Sequence, residues 1–467
     1  MTPYDTLLAD DPLWLIALKA AALLALLLGW TVFNIWFERR VLARMQNRKG
    51  PNMAGPFGLA QGLADGIKLF FKEDFRPAKT DRLVFNLAPF LVGVAAFTMW
   101  SVLPLGGPVS IFGEETLLQV TDFPVSLPFV LAMGSVGIYG LVLGGWASNG
   151  TYSLLGSMRA TAQMISYQVA MGLSLAAVFI HAGSMSAGGV VAAQQAPIAL
   201  FGGETPLRGW YAALLLPSFI TYVISMFGET NRLPFDLAEC ESELVSGHLT
   251  DYSGFRYALF FLAEYINMTT VSAVATTLFL GGYHAPWPFD AIANGAYDQG
   301  WWGLLWFVLK VQLLIFLFVW VRASVPRFRY DQFMSLGWKV LIPANLVWLF
   351  AMAVFRGLRL GRSLPLIATA SIVTALVLAS VAVMMVQDRM KEQAERSPTE
   401  IPVPPDESGG AEPEPEPEPE PFDAFAGGYP VPPKPGEQLP ELAGFVPATL
   451  TVMALSDRRR TRGGETR

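Results

Sequence analysis

Apolar runs and short polar connections alternate along most of the chain. Runs long enough to cross a bilayer as helices lie near 13–37, 83–104, 127–147, 163–183, 210–227, 255–280, 302–321, 339–356 and 364–386, since about 20 apolar residues span the hydrocarbon layer. The pattern predicts an all-α polytopic membrane protein of about eight to nine tilted helices within residues 1–390. Asp5, Asp10 and Asp11 stand before the first run in place of a basic segment, and no small-residue cleavage site follows. That run is therefore expected to stay as an anchor and not to be removed as a signal.

The distribution of bases predicts orientation. The connection 38–82 carries Arg39, Arg40, Arg44, Arg48, Lys49, Lys68, Lys72, Arg76, Lys79 and Arg82, whereas 104–126 holds Glu114, Glu115 and Asp122 with no base. The first connection is then cytoplasmic and the N-terminus outside. Alternation puts the acidic 228–254 and basic 322–339 connections on the cytoplasmic face as well. Arg356, Arg359 and Arg362 break the rule by falling on the outer side, just before the ninth run.

Past about Arg396 the residues turn to Pro, Glu and Gly, with a strictly alternating stretch from Glu412 to Pro421. Such a segment buries too little apolar surface to fold, so 391–467 is expected to be a disordered, cytoplasmic tail with polyproline character. Within it, Leu442 to Leu455 is apolar again and precedes Arg458, Arg459 and Arg460. This piece is either a docking element for a partner or membrane surface, or part of a floppy extension.

Composition narrows the chemistry. With 53% hydrophobic and 15% charged residues, the chain is too apolar for one soluble core. Its single cysteine, Cys240, excludes an internal disulfide and an iron–sulfur cluster held by this chain alone. Paired haem histidines, a phosphate-binding glycine loop and a dinucleotide fingerprint are absent from the sequence. No metal or covalent cofactor and no nucleic-acid partner is expected, and any electrons must come from another subunit.

The densest candidate chemistry is GETNRLPFDLAECESE at 228–243, which sets Glu229, Asp236, Glu239, Glu241 and Glu243 directly after the apolar segment Pro217 to Phe227. A carboxylate near hydrocarbon costs several kcal/mol unless paired, hydrated or protonated, so the cluster reads as a proton or ligand site. In the first basic connection, Gly50, Pro51, Gly55, Pro56, Gly58 and Gly62 shape a loop that turns into an amphipathic, interfacial helix over Leu63 to Lys72. Its bases are orientation signals, or they line a surface that receives a peripheral protein and an amphipathic ligand. Arg327, Arg329, Tyr330, Asp331 and Lys339 either anchor to headgroups or pair with the acidic loop on the same face. Glu264 and Lys310 fall inside helices, where an ionisable group is a functional candidate or a structural ion pair. His181 and His284 fall near outer helix ends and His248 in a loop; each reads as an interfacial or surface histidine and not as a ligand.

Three segments carry a family resemblance: ERRVLARMQNRKGPNMAGPFGLAQGLADGIKLFFKE; ETNRLPFDLAECESELVSG followed by ALFFLAEY; and WVRASVPRFRYDQFMSLGWK. Over about residues 13–356 they resemble one family of membrane subunits of respiratory complex I. It comprises the NADH-quinone oxidoreductase subunit designated H and, in mitochondria, NADH dehydrogenase subunit 1. The resemblance implies a chamber, shared with peripheral-arm subunits, in which ubiquinone or menaquinone is reduced. It also implies a line of buried acids that passes the effect toward small membrane and antiporter-like subunits. NADH and iron–sulfur clusters would sit on partners, in a bacterial inner (plasma) membrane.

Carried over by motif, the proton-path acids are Asp65, Glu229, Glu239, Glu241 and Glu264, and the quinone-chamber residues are Arg39, Arg48, Lys72, Arg232, Asp236, Arg327 and Arg329. Quinone reduction consumes two electrons and two protons, and acids desolvated beside the headgroup respond to that charge. Gln168 in AQMISYQVAMGL stands where the family usually has Glu, and an amide carries no proton. The ninth helix and the tail also depart from many eight-helix members. The alternatives are the related subunit of a membrane-bound hydrogenase or formate hydrogenlyase, and a free-standing ion transporter. The sequence shows no inverted repeat or paired broken helices of the kind a transporter uses.

Overall fold

A computed structural model of the chain describes residues 8, 11–200, 203–237, 241–287, 289, 297–298 and 300–361. The ninth run at 364–386 and the tail at 391–467 lie outside them. Helix α1, Leu13–Met45, has 33 residues, about 50 Å at the usual rise and more than the hydrocarbon needs. It runs on past the expected end at 37, because Glu38–Met45 is made largely of good helix formers. Its inward stripe, Leu23, Leu27, Thr31, Asn34, Glu38, recurs every three to four residues and turns from apolar to polar toward the C-terminal end of the helix.

Helix α2, Gln61–Phe71, is amphipathic, with Leu63, Ile67, Phe70 and Phe71 left exposed. Helix α3, Arg82–Met99, is capped by Asp81, whose side chain accepts from the N–H groups of Leu83 and Val84. A hairpin of β1, Gly106–Ile111, and β2, Glu114–Leu118, follows. Helix α4, Ser126–Ala147, lies so close to α3 that a Cβ on Gly140 would come 2.9 Å from the Ala88 carbonyl oxygen. Close backbone approach through small residues is how helices gain dispersion contact where lipid offers no hydrophobic drive.

Helix α5, Thr151–Ala182, begins well before the expected 163. Its polar first turns are stabilised by packing against the 228–254 connection: Arg159 pairs with Glu243 at 2.6 Å, and Gln163 donates to the carbonyls of Gly228 and Phe235 at 3.0 and 2.9 Å. A short α6, Ala187–Ala193, and a second antiparallel hairpin, β3 Pro197–Leu200 with β4 Gly203–Arg208, lead back to the membrane. The expected span 210–227 is two pieces, α7 Tyr211–Leu214 and α8 Leu216–Glu229, broken at Leu215 with φ −114° and ψ 45°. Pro217 causes this break, since it has no N–H to bond backward and restricts the residues before it. At 14 residues, α8 is about 21 Å long.

The short α9, Glu241–Leu244, precedes α10, Gly254–Phe279; α11 is Trp302–Ser324. The eighth span starts at Tyr330, inside the expected 322–339 loop, as α12 Tyr330–Ser335, a π-helical stretch Leu336–Leu341 and α13 Ile342–Gly361. Seven helices among the described residues are long and apolar enough to cross a membrane, and the broken α7–α8, expected as a span over 210–227, is not one of them. This is a multi-pass helical membrane protein. The most buried span is α10. Along it Thr269, Thr270, Ser272, Thr276 and Thr277 each donate to the carbonyl four residues back, so their hydroxyls need no water. Neighbours cross-link to it: Trp100 donates to Thr270 at 2.7 Å and Tyr222 to the Val271 carbonyl at 2.9 Å.

Candidate functional site

Four elements bring their ionisable residues to one partly buried point in the N-terminal half of α10. Glu38 of α1 is only 4% exposed and accepts a hydrogen bond from the Tyr265 hydroxyl at 2.7 Å. The same carboxylate pairs with Arg322, in the last turn of α11, and with Arg232 Nη1 at 3.5 Å. Arg232, in the loop after α8, places Nε 3.0 Å from Glu264 Oε1, and its guanidinium carbon lies 4.3 Å from the Tyr265 ring centroid. Burial works against the charge of Arg232, but Glu264, Tyr265 and Glu38 outweigh it and hold its pKa well above the ordinary arginine value.

From Glu264 the polar interior continues toward the middle of the bundle. Glu264, Asn267, Asn231, His248 and Glu229 line one cavity of about 60 Å³, room for a few water molecules. Glu229, 2% exposed, closes the last turn of α8. It stands opposite α5 because Gly228 lets the Tyr167 ring pack where any side chain would collide. Its Oε2 has no hydrogen-bond partner among the described residues. A second, smaller cavity of about 20 Å³ shares Glu229 and Asn267 and adds Gln168 and Tyr222. There Gln168 donates to the Leu131 carbonyl at 2.7 Å and accepts from Ser135 at 3.1 Å. The order Glu264, Glu229, Gln168 is thus a line of side chains joined by water-sized space.

Other predicted residues gather in separate pairs within the 38–82 connection and between the 228–254 and 322–339 connections. Arg39 and Asp65 meet at 2.7 Å, with Gln61 donating to the same carboxylate at 3.1 Å, and this ties α2 to α1. Arg327 lies 3.4 Å from Asp236 and also donates to its backbone carbonyl. The Arg48 side chain donates to Gln46 at 2.8 Å, beside a surface groove lined by Arg40, Arg44 and Lys49. Lys72 at the C-cap of α2 and Arg329 at the N-cap of α12 are exposed and are not drawn into the buried cluster. Glu239 and the side chain of Glu241 lie outside the described residues.

Two members of the buried cluster are absent from the predicted set: Glu38 and Arg322. Both sit where hydropathy marks the end of a span, so they read as loop residues. The periodic inward stripe of α1, which reaches Glu38 four residues after Asn34, is the signal that finds it.

Two of the histidines depart from expectation. His248 is 5% exposed, its ring edge-on to Phe260 at 5.5 Å, and burial pulls its pKa down to about 4. It is a core group and not a surface one. His284 is buried too, with Nδ1 3.1 Å from Asp298. Burial pushes Asp298 up, but hydrogen bonds from His284, from Arg208 at 2.8 Å and from the Ala285 N–H bring it down to about 2. Lys310, left open between two roles, donates to the carbonyls of Leu280, Gly282 and His284 at 2.6, 2.9 and 2.6 Å and stands over the Trp210 ring at 4.4 Å. It ties off the C-terminal end of α10, far along the helix from Glu264.

Comparison with known proteins agrees with this arrangement of segments. A family model described as NADH dehydrogenase matches residues 18–353. The chain is 53% identical over 468 residues to the NADH-quinone oxidoreductase subunit designated H of Cutibacterium acnes, covering 99% of this chain and 100% of that protein. It is 46% identical over 452 residues to the protein of the same name from Streptomyces avermitilis, covering 94% and 92%. Matches of this extent take in every helix that supplies the buried cluster, and the chain belongs to the NADH dehydrogenase family that holds these NADH-quinone oxidoreductase membrane subunits.

Proposed function

We propose that this chain is the quinone-binding and proton-coupling membrane subunit of a proton-translocating NADH:quinone oxidoreductase (complex I) of the bacterial inner membrane, with no complete active site of its own. The carrying observation is the buried Glu38–Arg232–Glu264–Arg322 cluster, continued through two water-sized cavities to Glu229 and Gln168. On this reading peripheral-arm subunits deliver two electrons from their iron–sulfur clusters to a ubiquinone or menaquinone bound against the cytoplasmic loops. The exposed apolar face of α2 and the pairs Arg39–Asp65 and Arg327–Asp236 shape the wall of that chamber. Two protons must follow the electrons to give the quinol, which changes the charge facing the cluster.

The cluster suits a response to that change. Arg232 is shared between Glu38 and Glu264, so a proton arriving on either acid frees the guanidinium for the other. Glu264 and Glu229 then exchange protons through the cavity between them, toward the small and antiporter-like membrane subunits. Asp65, Glu239 and Glu241 belong to the entry side of this path, and Arg48, Lys72 and Arg329 to the surface that receives the peripheral subunits and lipid headgroups.

The test is purification of the tagged chain in mild detergent. Co-purification of NADH-oxidising, iron–sulfur and antiporter-like subunits, with inhibitor-sensitive quinone reductase activity, is the expected result. A nickel hydrogenase module in their place would move the function to hydrogen metabolism.

A further inference from the structure

His248 has no part in the pairs described above, yet it is placed where a proton between Glu264 and Glu229 would pass. It sits in a short 3-10 turn, Gly247–Leu249, packed against α5 and α4. It lines the same cavity of about 60 Å³ as the two acids. Its Nδ1 is buried and has no hydrogen-bond partner among the described residues. An imidazole nitrogen left unpaired in an otherwise close-packed wall is costly, because its desolvation is not offset by a hydrogen bond. That cost is avoided when water or a protonated acid occupies the cavity.

The charged and titratable groups near the turn leave the ring free for this role. Asp251 is held by Ser153 at 2.5 Å, Tyr252 donates to the Phe85 carbonyl at 3.2 Å, and Arg159 of α5 is paired with Glu243. From α3 and α4 the cavity receives only apolar side chains and glycines, such as Val92, Met99, Gly134 and Leu141. Of the groups lining the cavity, Glu264 from α10 and Glu229 from α8 are therefore the titratable partners that His248 faces.

We propose that His248 is a proton-carrying residue between Glu264 and Glu229, an imidazole station in a path otherwise built from carboxyl groups. The inference rests on the coupling role proposed above. In the step, Glu264 as the neutral acid releases its proton through cavity water to an imidazole nitrogen. The carboxylate left behind is held by Arg232, and the ring becomes imidazolium. The ring then gives a proton to the Glu229 carboxylate and returns to neutral. No net charge is created and no oxidant or reductant is needed. Burial keeps the ring neutral at rest, ready to accept.

The experiment compares His248→Gln, Glu264→Gln and Glu229→Gln in the purified whole complex. The readouts are reduction of a short-chain ubiquinone analogue by NADH across pH, and proton uptake per NADH after reconstitution into vesicles. NADH-to-ferricyanide activity controls for the peripheral arm. The expected result is a several-fold loss of coupled activity in His248→Gln with a displaced pH profile, since Gln keeps a hydrogen-bonding side chain but carries no proton. Normal rate and pH profile in His248→Gln, with both acid variants impaired, overturns this inference and leaves the coupling role standing. Normal behaviour in all three overturns both. If His248→Gln does not assemble, His248→Asn is measured in its place. Failure of both to assemble also overturns the proposal, because it marks the ring as structural.

Discussion

Arg232 reaches Glu264 with Nε at 3.0 Å and Glu38 with Nη1 at 3.5 Å, so a single guanidinium joins carboxylates from α10 and α1. Arginine suits this position because its planar fork serves two acceptors at once and stays charged when buried. Arg232→Met is expected to leave Glu264 uncompensated and Glu38 with Arg322 alone. Breaking a buried pair from one side costs about 3–5 kcal/mol. The variant should show a sharp fall in assembled complex on native gels. Assembly and thermal stability equal to the wild type would show that the carboxylates do not depend on this residue.

Glu38 tests the cluster with less structural damage. Glu38→Gln keeps an acceptor for Tyr265 but removes the charge facing Arg232 and Arg322. Quinone reductase activity is expected to fall by about a hundredfold, the lower end of the range for losing one positioned proton-handling group. NADH-to-ferricyanide activity of the same preparation should not change. A normal rate with a short-chain quinone would remove Glu38 from the path.

The contrast between Glu264 and Glu38 shows what could be read from the residues. Glu264 stands alone inside an apolar run, where any charge is conspicuous. Glu38 sits beside Arg39 and Arg40 at the end of one, where hydropathy averages it into the loop. The spans themselves were legible because each apolar run is long. Their ends were not, since α1 and α5 extend as helices through polar residues that are buried only by loops distant in sequence. The break at Leu215 was visible in principle from Pro217. The burial of His248 was not, because it depends on α5 and α4 packing against a three-residue turn.

Lys310 is expected to matter for stability and not for turnover. Lys310→Met removes the donor to three carbonyls at the C-terminal end of α10, and each orphaned acceptor costs about 1–3 kcal/mol if water does not reach it. Faster thermal inactivation, with unchanged quinone reductase activity per assembled complex, is the expected outcome. Lost proton uptake at normal quinone reduction would instead give Lys310 a place in translocation.

Acid sensitivity follows from His248. Its pKa is about 4 in the fold and about 6.5 in an unfolded chain, so between these values the unfolded state binds more protons. Stability from burying the neutral ring is fully present above about pH 6.5 and declines as pH falls toward 4, by up to about 1.4 kcal/mol per unit. In His248→Phe, which keeps the edge contact with Phe260 available, that part of the slope should vanish. The thermal midpoint of the purified complex, measured from pH 7 down to pH 5, should fall less steeply in the variant. Parallel curves would mean that the ring is not buried neutral in the assembled complex.

Gln168 is the point where an acid is expected from the family and an amide is found. The side chain uses both ends, donating to Leu131 and accepting from Ser135. A neutral glutamic acid reproduces both bonds, with its O–H donating to the Leu131 carbonyl, whereas a carboxylate loses that donation and faces the carbonyl as a second acceptor. Gln168→Glu should therefore assemble normally, because the acid can hold its proton in the small cavity it shares with Glu229. Proton uptake per NADH should stay equal to the wild type or rise, since the path gains a titratable group beyond Glu229. Loss of assembly would show that the surroundings have been rebuilt around the amide, and a fall in proton uptake would show that an acid at this point traps the proton that Glu229 passes on.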